Sequence, residues 1–358
     1  MPDAVPATGR EAVIRAFLAA HGWERADRTP LTGDASFRRY ERLRRDGEPV
    51  LLMDAPPPKE DVRPFARLAR HLNALGLSAP AILAEDAAAG LLLIEDFGDA
   101  TFTRILAGDL PSPERSPGVA QAGGNERALY EMAVDVLVHL HRLAPGAAVP
   151  AGLKPYDDET LLAEAFLLTD WYMPSVMGRP TPAAVRHAYG QAWLEAFAAV
   201  RAQPTTLVLR DYHVDNLMVL DGRPGVAACG LLDFQDALAG PAAYDLMSLL
   251  EDARRDIDPG LVDALRRRYA AAFPDLDRPA FDAAFAVLAA QRHAKVIGIF
   301  TRLCLRDGKP RYLGHIPRLW RLLERALDHP DLAPVAAWFA RNIPSERREK
   351  PSCPPVAA

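Results

Sequence analysis

The chain has 358 residues, enough at ~150 per domain for two domains or one two-lobed unit with an ample core. Hydrophobic residues make up 49% and charged residues 25%, which excludes a disordered or collagen-like chain and a small stapled scaffold. The 42 basic and 47 acidic side chains give a formal net charge of −5, so no global field attracts nucleic acid or an anionic membrane.

Ala12, Val13, Ile14, Phe17 and Leu18 recur at helical spacing, and Gly22 follows as a stop, which predicts a first helix. Between 28 and 54 the pattern changes to a turn at Thr32-Gly33-Asp34 and two strand-like runs, Phe37 to Leu43 and Val50 to Met53. Asp46-Gly47 separates the runs, so they read as an antiparallel hairpin. Pro56-Pro57-Pro58 ends it. A helix with Val62, Phe65, Leu68, Ala69 and Leu72 comes next, then short apolar runs at 81–84 and 91–94.

Beyond Phe97 the periodicity is mainly helical, near 126–143, 157–168, 182–202, 259–272, 280–305 and 315–327. Three short apolar runs within 205–235 interrupt it, with polar loops between them, the kind of place where loops carry function. Residues 107–125 read as a Pro/Gly-rich loop. The expected division is therefore 1–97, a small α+β unit; 98–344, a larger helical one; and 345–358, a flexible tail.

Cys229, Cys304 and Cys353 are odd in number and lack metal-ligand spacing, which points to reduced thiols and a cytoplasmic setting. No signal-peptide core opens the chain, and no window of ~18 apolar residues escapes a charge. Neither a membrane nor an obligate protein partner is expected. Only five lysines occur, at 59, 154, 295, 309 and 350.

The densest polar cluster is Leu209-Arg210-Asp211-Tyr212-His213-Val214-Asp215-Asn216, followed by Leu231-Leu232-Asp233-Phe234-Gln235-Asp236. Phosphoryl transfer asks little covalent work of a protein. It needs a carboxylate beside the acceptor hydroxyl and oxygen ligands for Mg²⁺. Asp211 suits the first role; Asn216 and Asp233 suit the second. Taken singly, each is equally well a turn residue; the D-x4-N spacing and the flanking strands make the set specific.

Arg210-Asp211-x4-Asn216 and Asp233-Phe234 resemble the catalytic and metal loops of the protein-kinase-like superfamily. Asp211, His213 and Asn216 in D-x-H-x-x-N form are similar to its aminoglycoside phosphotransferase and choline kinase branch. The likeness covers most of the chain: Leu91 to Asp99 resembles the hinge segment, Leu140-His141-Arg142-Leu143 a helix before the catalytic region, and Gly240-Pro241 to Leu246 the segment after the metal loop. Thr32 to Tyr40, Leu52 to Pro57, Leu231 to Asp236 and Asp252 to Asp256 resemble the anomeric N-acetylmuramate/N-acetylglucosamine kinases of bacterial cell-wall recycling.

The resemblance implies a protein-kinase-like two-lobed fold with ATP between the lobes, Mg²⁺, and a small amino sugar as acceptor. Gly33, Asp34, Ala35, Ser36 and Phe37 would cover the phosphates, and the backbone of Glu95 and Phe97 would border adenine. His213 would either bond the transferred phosphoryl group or brace the loop. The strand that carries a phosphate-contacting lysine in kinases reads Val50-Leu51-Leu52-Met53-Asp54 and has none, which leaves Arg38 or Arg39 to supply that charge. Arg254, Arg292, Lys295 and Arg302 are candidates for the acceptor side, and Trp171 and Tyr172 for stacking on a sugar ring. Other acceptors (an aminoglycoside, choline, a hexose) and a nucleotide-binding regulator without catalysis are the alternatives.

Overall fold

A stripe of apolar side chains on the first helix decides where the first sheet is covered. Ile14, Phe17 and Leu18 of α1 (Ala7–Ala20) bury against Leu43, Val50, Leu52, Leu91 and Leu93, alternate residues of three strands and so one face of one sheet. The computed structural model describes residues 7–31, 38–110 and 126–353, so the expected phosphate loop, Gly33 to Phe37, lies outside the described residues. Residues 111–125 of the Pro/Gly-rich loop lie outside them as well.

The sheet is antiparallel with order β1-β2-β3-β5-β4, built from β1 (Asp27–Leu31), β2 (Arg39–Arg45), β3 (Glu48–Asp54), β4 (Ile82–Asp86) and β5 (Leu91–Glu95). The β2–β3 hairpin turns at Asp46 and Gly47, whose φ values of 53° and 87° are those a two-residue hairpin loop demands. β1 was not foreseen; it is a mostly exposed edge strand containing Pro30, which blunts its strand signal. Tyr40 and Arg42 point away from α1, toward the face that also carries Met53 and Leu51, their register partners on β3. Next come α2 (Arg63–Ala74) and α3 (Phe102–Ala107), and then α4 (Glu126–His141).

The chain divides into two compact units, Met1–Val136 with Val214–Asp236, and Leu137–His213 with Ala237–Ala358. The first unit thus runs past Phe97. It also takes in the hairpin of β7 (Leu217–Val219) and β8 (Cys229–Leu231), where Phe97 fills the space beside Gly230 and Thr101 bridges Met218.

In the second unit, β6 (Thr205–Val208) pairs with β9 (Leu238–Pro241) amid α5 (Asp158–Leu167), α6 (Ala183–Ala196), α7 (Ala243–Leu250), α8 (Pro259–Ala271), α9 (Arg278–Asp307), α10 (Ile316–Leu327) and α11 (Ala333–Asn342). α9 is long and apolar enough to cross a membrane, yet 83% of its most apolar window is buried, so it is the core helix of this unit. Its backbone approaches the end of α5 so closely that a Cβ on Gly298 would lie 2.3 Å from the Leu167 carbonyl carbon, which only glycine permits.

Two expectations need correcting. Residues 345–353 do not trail away: Arg348 stacks over Trp320, Tyr172 Oη donates to the Glu349 carbonyl at 2.8 Å, and Pro351 is buried. Cys304 and Cys353, which the odd count had left as separate thiols, lie side by side with Cα atoms 5.8 Å apart, within reach of a disulfide. Their proximity depends on the C-terminal segment folding back on α9, which spacing along the chain does not reveal.

Candidate active site

The polar motif after β6 contributes residues 209–213 to the second unit and 214–216 to the first. In the second unit, Arg210 has a left-handed φ of 69°, a conformation that costs a non-glycine residue energy and persists only where neighbours enforce it. The enforcement is visible on every side. The N–H groups of Leu209 and Arg210 donate to Asp245 Oδ2 and Oδ1 at 2.6 and 2.9 Å, the Arg210 guanidinium pairs with Glu164, and its carbonyl accepts from Arg292 Nη1 at 3.0 Å. Asp245, on α7, is buried; burial pushes its carboxyl up to about 7, and the two backbone donors offset this only in part.

Asp211 follows. Its carboxylate sits deep among protein atoms, yet 42% of the side chain remains accessible, so a ligand can reach it. Burial, the largest single influence, would raise this carboxyl; the nearby cations, Arg292 first among them, together outweigh it and hold the carboxyl below the ordinary carboxylate value. It is therefore anionic at neutral pH. His213 is buried, and burial together with Arg254 outweighs the pull of Asp252 and Asp211, so its imidazole titrates below the usual value and is neutral there. It can offer the loop or a ligand a hydrogen bond, but not a charge.

Under this loop lies a buried ionic network. Glu164 on α5 accepts from Lys295 Nζ at 2.7 Å, from Tyr156 Oη at 2.5 Å and from Gln291 Nε2 at 3.2 Å, besides Arg210. Burial would raise Glu164, but Lys295 and Arg210 bring it down to about 2. Sequence reasoning passed over this residue. Its signal was a carboxylate within the apolar stripe of Leu161, Ala165 and Leu168, where an unpaired charge would be costly.

In the first unit, Asn216 directly precedes β7, and Asp233 stands two residues beyond β8. The Leu217↔Leu231 pair and the bond from Leu232 N–H to the Asn216 carbonyl, 3.0 Å, bring the two to one end of the hairpin. Asp233 is exposed with a φ of 56° and accepts from Gln235 Nε2 at 2.8 Å; Phe234 beside it is buried and stacks on Phe65 of α2, ring centroids 5.0 Å apart. An amide oxygen and a carboxylate form a hard-oxygen pair of the kind that would fit Mg²⁺. Among the described residues no cluster of three or more His, Cys, Asp or Glu side chains forms an all-protein metal cage.

Arg38 and Arg39 part as strand alternation requires. Arg39 is exposed. Arg38 is half-buried on the Tyr40 face, and its Nε donates to Glu60 Oε2 at 3.1 Å. Burial lowers its pKa, but Tyr40, Glu60 and Asp233 together raise it above the ordinary value, which sets this guanidinium near the metal-loop carboxylate. Glu95 pairs with Arg223, whose guanidinium also lies over the Phe97 ring, 5.2 Å from its centroid.

Of the acceptor-side candidates, Tyr172 is core, buried against Trp320 with its hydroxyl engaged, and so is not a sugar platform; Trp171 is half-exposed. Lys295 is committed to Glu164, and Arg254 bonds Asp252 at 3.4 Å. Arg292 Nη2 stands 3.6 Å from Asp211 Oδ1.

Residues 27–282 match the phosphotransferase enzyme family, and the chain belongs to it. It is 38% identical to the N-acetylmuramate/N-acetylglucosamine kinase of Caulobacter vibrioides over 95% of this chain and 98% of that one. It is 36% identical to the Pseudomonas aeruginosa enzyme of the same name, covering 90% and 92% of the two chains. Among solved structures, aminoglycoside phosphotransferase APH(2'')-Ib with ADP bound superposes with a TM-score of 0.54 over 90% of this chain and 99% of that one at 14% identity, a likeness of fold. The protein-kinase-like fold expected from the motifs is the observed one.

Proposed function

We propose that the protein is an ATP-dependent sugar kinase that transfers the γ-phosphoryl group to the anomeric hydroxyl of N-acetylmuramate and N-acetylglucosamine, giving the 1-phosphate. The observation that carries this is an accessible, anionic Asp211 on a loop held by Asp245, Glu164 and Arg292, with Asn216 five residues further along the chain and Asp233 at the same end of the β7–β8 hairpin as Asn216. The likeness to kinases named for these two sugars supports the choice of acceptor.

Asp211 would align the acceptor hydroxyl and receive its proton. An anomeric hydroxyl is more acidic than an ordinary alcohol, so aim counts for more than basicity. Asn216 and Asp233 would hold Mg²⁺, which supplies charge neutralisation to the phosphates when bound. His213, neutral, would bond the transferred group or brace the loop; Glu95 and Phe97 would border adenine, and residues 33–37 would cover the phosphates. The setting is the cytoplasm, where ATP is available.

The test is a panel of N-acetylmuramate, N-acetylglucosamine, hexoses, choline and an aminoglycoside with Mg²⁺ and ATP, with the phosphate located on the product by ³¹P NMR. Phosphate at C1 of the amino sugars is expected. Transfer only to choline or an aminoglycoside would overturn the acceptor assignment, and ATP binding without any ADP release would favour the regulator.

Arg38 takes the part of the absent strand lysine in this reading, with Glu60 as its partner. Losing a charge-assisted contact of about 1.5–3 kcal/mol should raise the apparent KM for ATP about 10- to 100-fold in Arg38→Ala. Arg39→Ala should stay near wild type. Equal KM values in the two variants would sink the assignment.

A further inference from the structure

The second unit spends an unusual number of buried cations on the loop that carries Asp211. α9 presents Gln291, Arg292 and Lys295 along one buried face, and all three side chains reach toward α5, α7 or the loop. Lys295 is taken up by Glu164, as is Arg210. Arg292 is placed differently. Its Nη1 donates to the Arg210 carbonyl at 3.0 Å and to Tyr244 Oη at 2.8 Å, and its Nη2 stands 3.6 Å from Asp211 Oδ1. Its side chain is 10% exposed against 42% for Asp211, so the cation lies behind the carboxylate and leaves the accessible side to a ligand.

We propose that Arg292 is a positioning residue for Asp211: one guanidinium nitrogen pins the loop backbone while another faces the carboxylate and fixes its aim. This rests on Asp211 being the proton acceptor. The planar fork of arginine can hold the two groups at once, which a lysine ammonium on a flexible stem does not reproduce. At 3.6 Å the contact is electrostatic rather than a tight hydrogen bond, and it favours the negative charge of the carboxylate. Among the described residues, the other charged or titratable groups that act on Asp211 include Lys295 from α9, Arg210 and His213 from its own loop, and Asp245 from α7. Lys295 and Arg210 are engaged by Glu164, and Asp245 by backbone N–H groups.

The test is the pH dependence of kcat and kcat/KM for wild type, Arg292→Gln and Arg292→Lys, with the acceptor on which the wild type is active. Arg292→Gln should lower kcat at least about tenfold and move the acid limb upward by about one pH unit, the lower end of what an adjacent opposite charge does to a carboxyl. The acceptor KM should change little. Arg292→Lys should lose kcat but keep the limb where the wild type has it. A Gln variant with an unmoved limb, or one whose loss lies wholly in KM, overturns the proposal.

If the Gln variant does not fold, Tyr244→Phe carries the test. It removes one of the two anchors of Nη1, should lower kcat several-fold and leave the limb in place, and a wild-type kcat would overturn the proposal. A wild type inactive on every acceptor would instead defeat the functional reading itself, so the two failures are distinguishable.

Discussion

Asp211→Asn should lower kcat about 100- to 10,000-fold, the usual worth of a positioned general base, while the protein stays folded. Asn keeps the shape and removes the charge, which separates chemistry from packing. The stability consequence has a definite sign. The folded-state pKa of Asp211 lies below its ordinary value because Arg292 and its fellow cations outweigh burial. Ionised Asp211 therefore stabilises the fold at pH above the unfolded carboxyl's value, and that contribution disappears as pH falls through the depressed folded value. The Asn variant should melt below wild type at pH 7, and the gap should narrow on acidification. Near-normal turnover in the folded variant would remove Asp211 from the chemistry; a gap that widens in acid would contradict the electrostatic account.

Asp233→Ala should be comparably damaging for a different reason. Losing several kcal/mol of metal-assisted charge stabilisation corresponds to a turnover loss on the order of a thousandfold. The fold should be spared, because Asp233 is exposed and its loop is anchored separately by Phe234 on Phe65. Asn216→Ala should act in the same direction. Titrating Mg²⁺ is the deciding measurement: both variants should need more of it for half-maximal rate, whereas Asp211→Asn should not. Unchanged Mg²⁺ dependence in Asp233→Ala would take that residue out of the metal role.

Much of this site was legible along the chain because its chemistry is local. Asp211, His213 and Asn216 fall within six consecutive positions, and Asp233 follows a strand that pairs with the one after Asn216. The bracing role of Asp245 could also be approached, since it lies in the segment that resembles the one after the metal loop. The partners that act on these residues were not legible. Arg292 lies 81 positions beyond Asp211 and Glu164 lies 46 before Arg210, on helices whose periodicity announces only a buried face. Arg38 and Arg39 could not be separated without knowing which face of β2 α1 covers. Tyr172 looked as suitable for stacking on a sugar as Trp171 until Trp320 and the folded-back C-terminal segment were seen to bury it.

Length and charge determined from the start a two-part chain with no field for nucleic acid, and the motifs determined its kind of chemistry. The scarcity of lysine determined where that chemistry departs from the common kinase pattern. Tertiary structure alone decided that Arg38 is half-buried beside Glu60 while Arg39 is exposed, and how a carboxylate in a crowded recess stays anionic. The reason is physical: composition and local pattern fix which groups are present and in what order, whereas the charge state of Asp211 depends on distances of a few ångströms to cations that only long-range packing brings near.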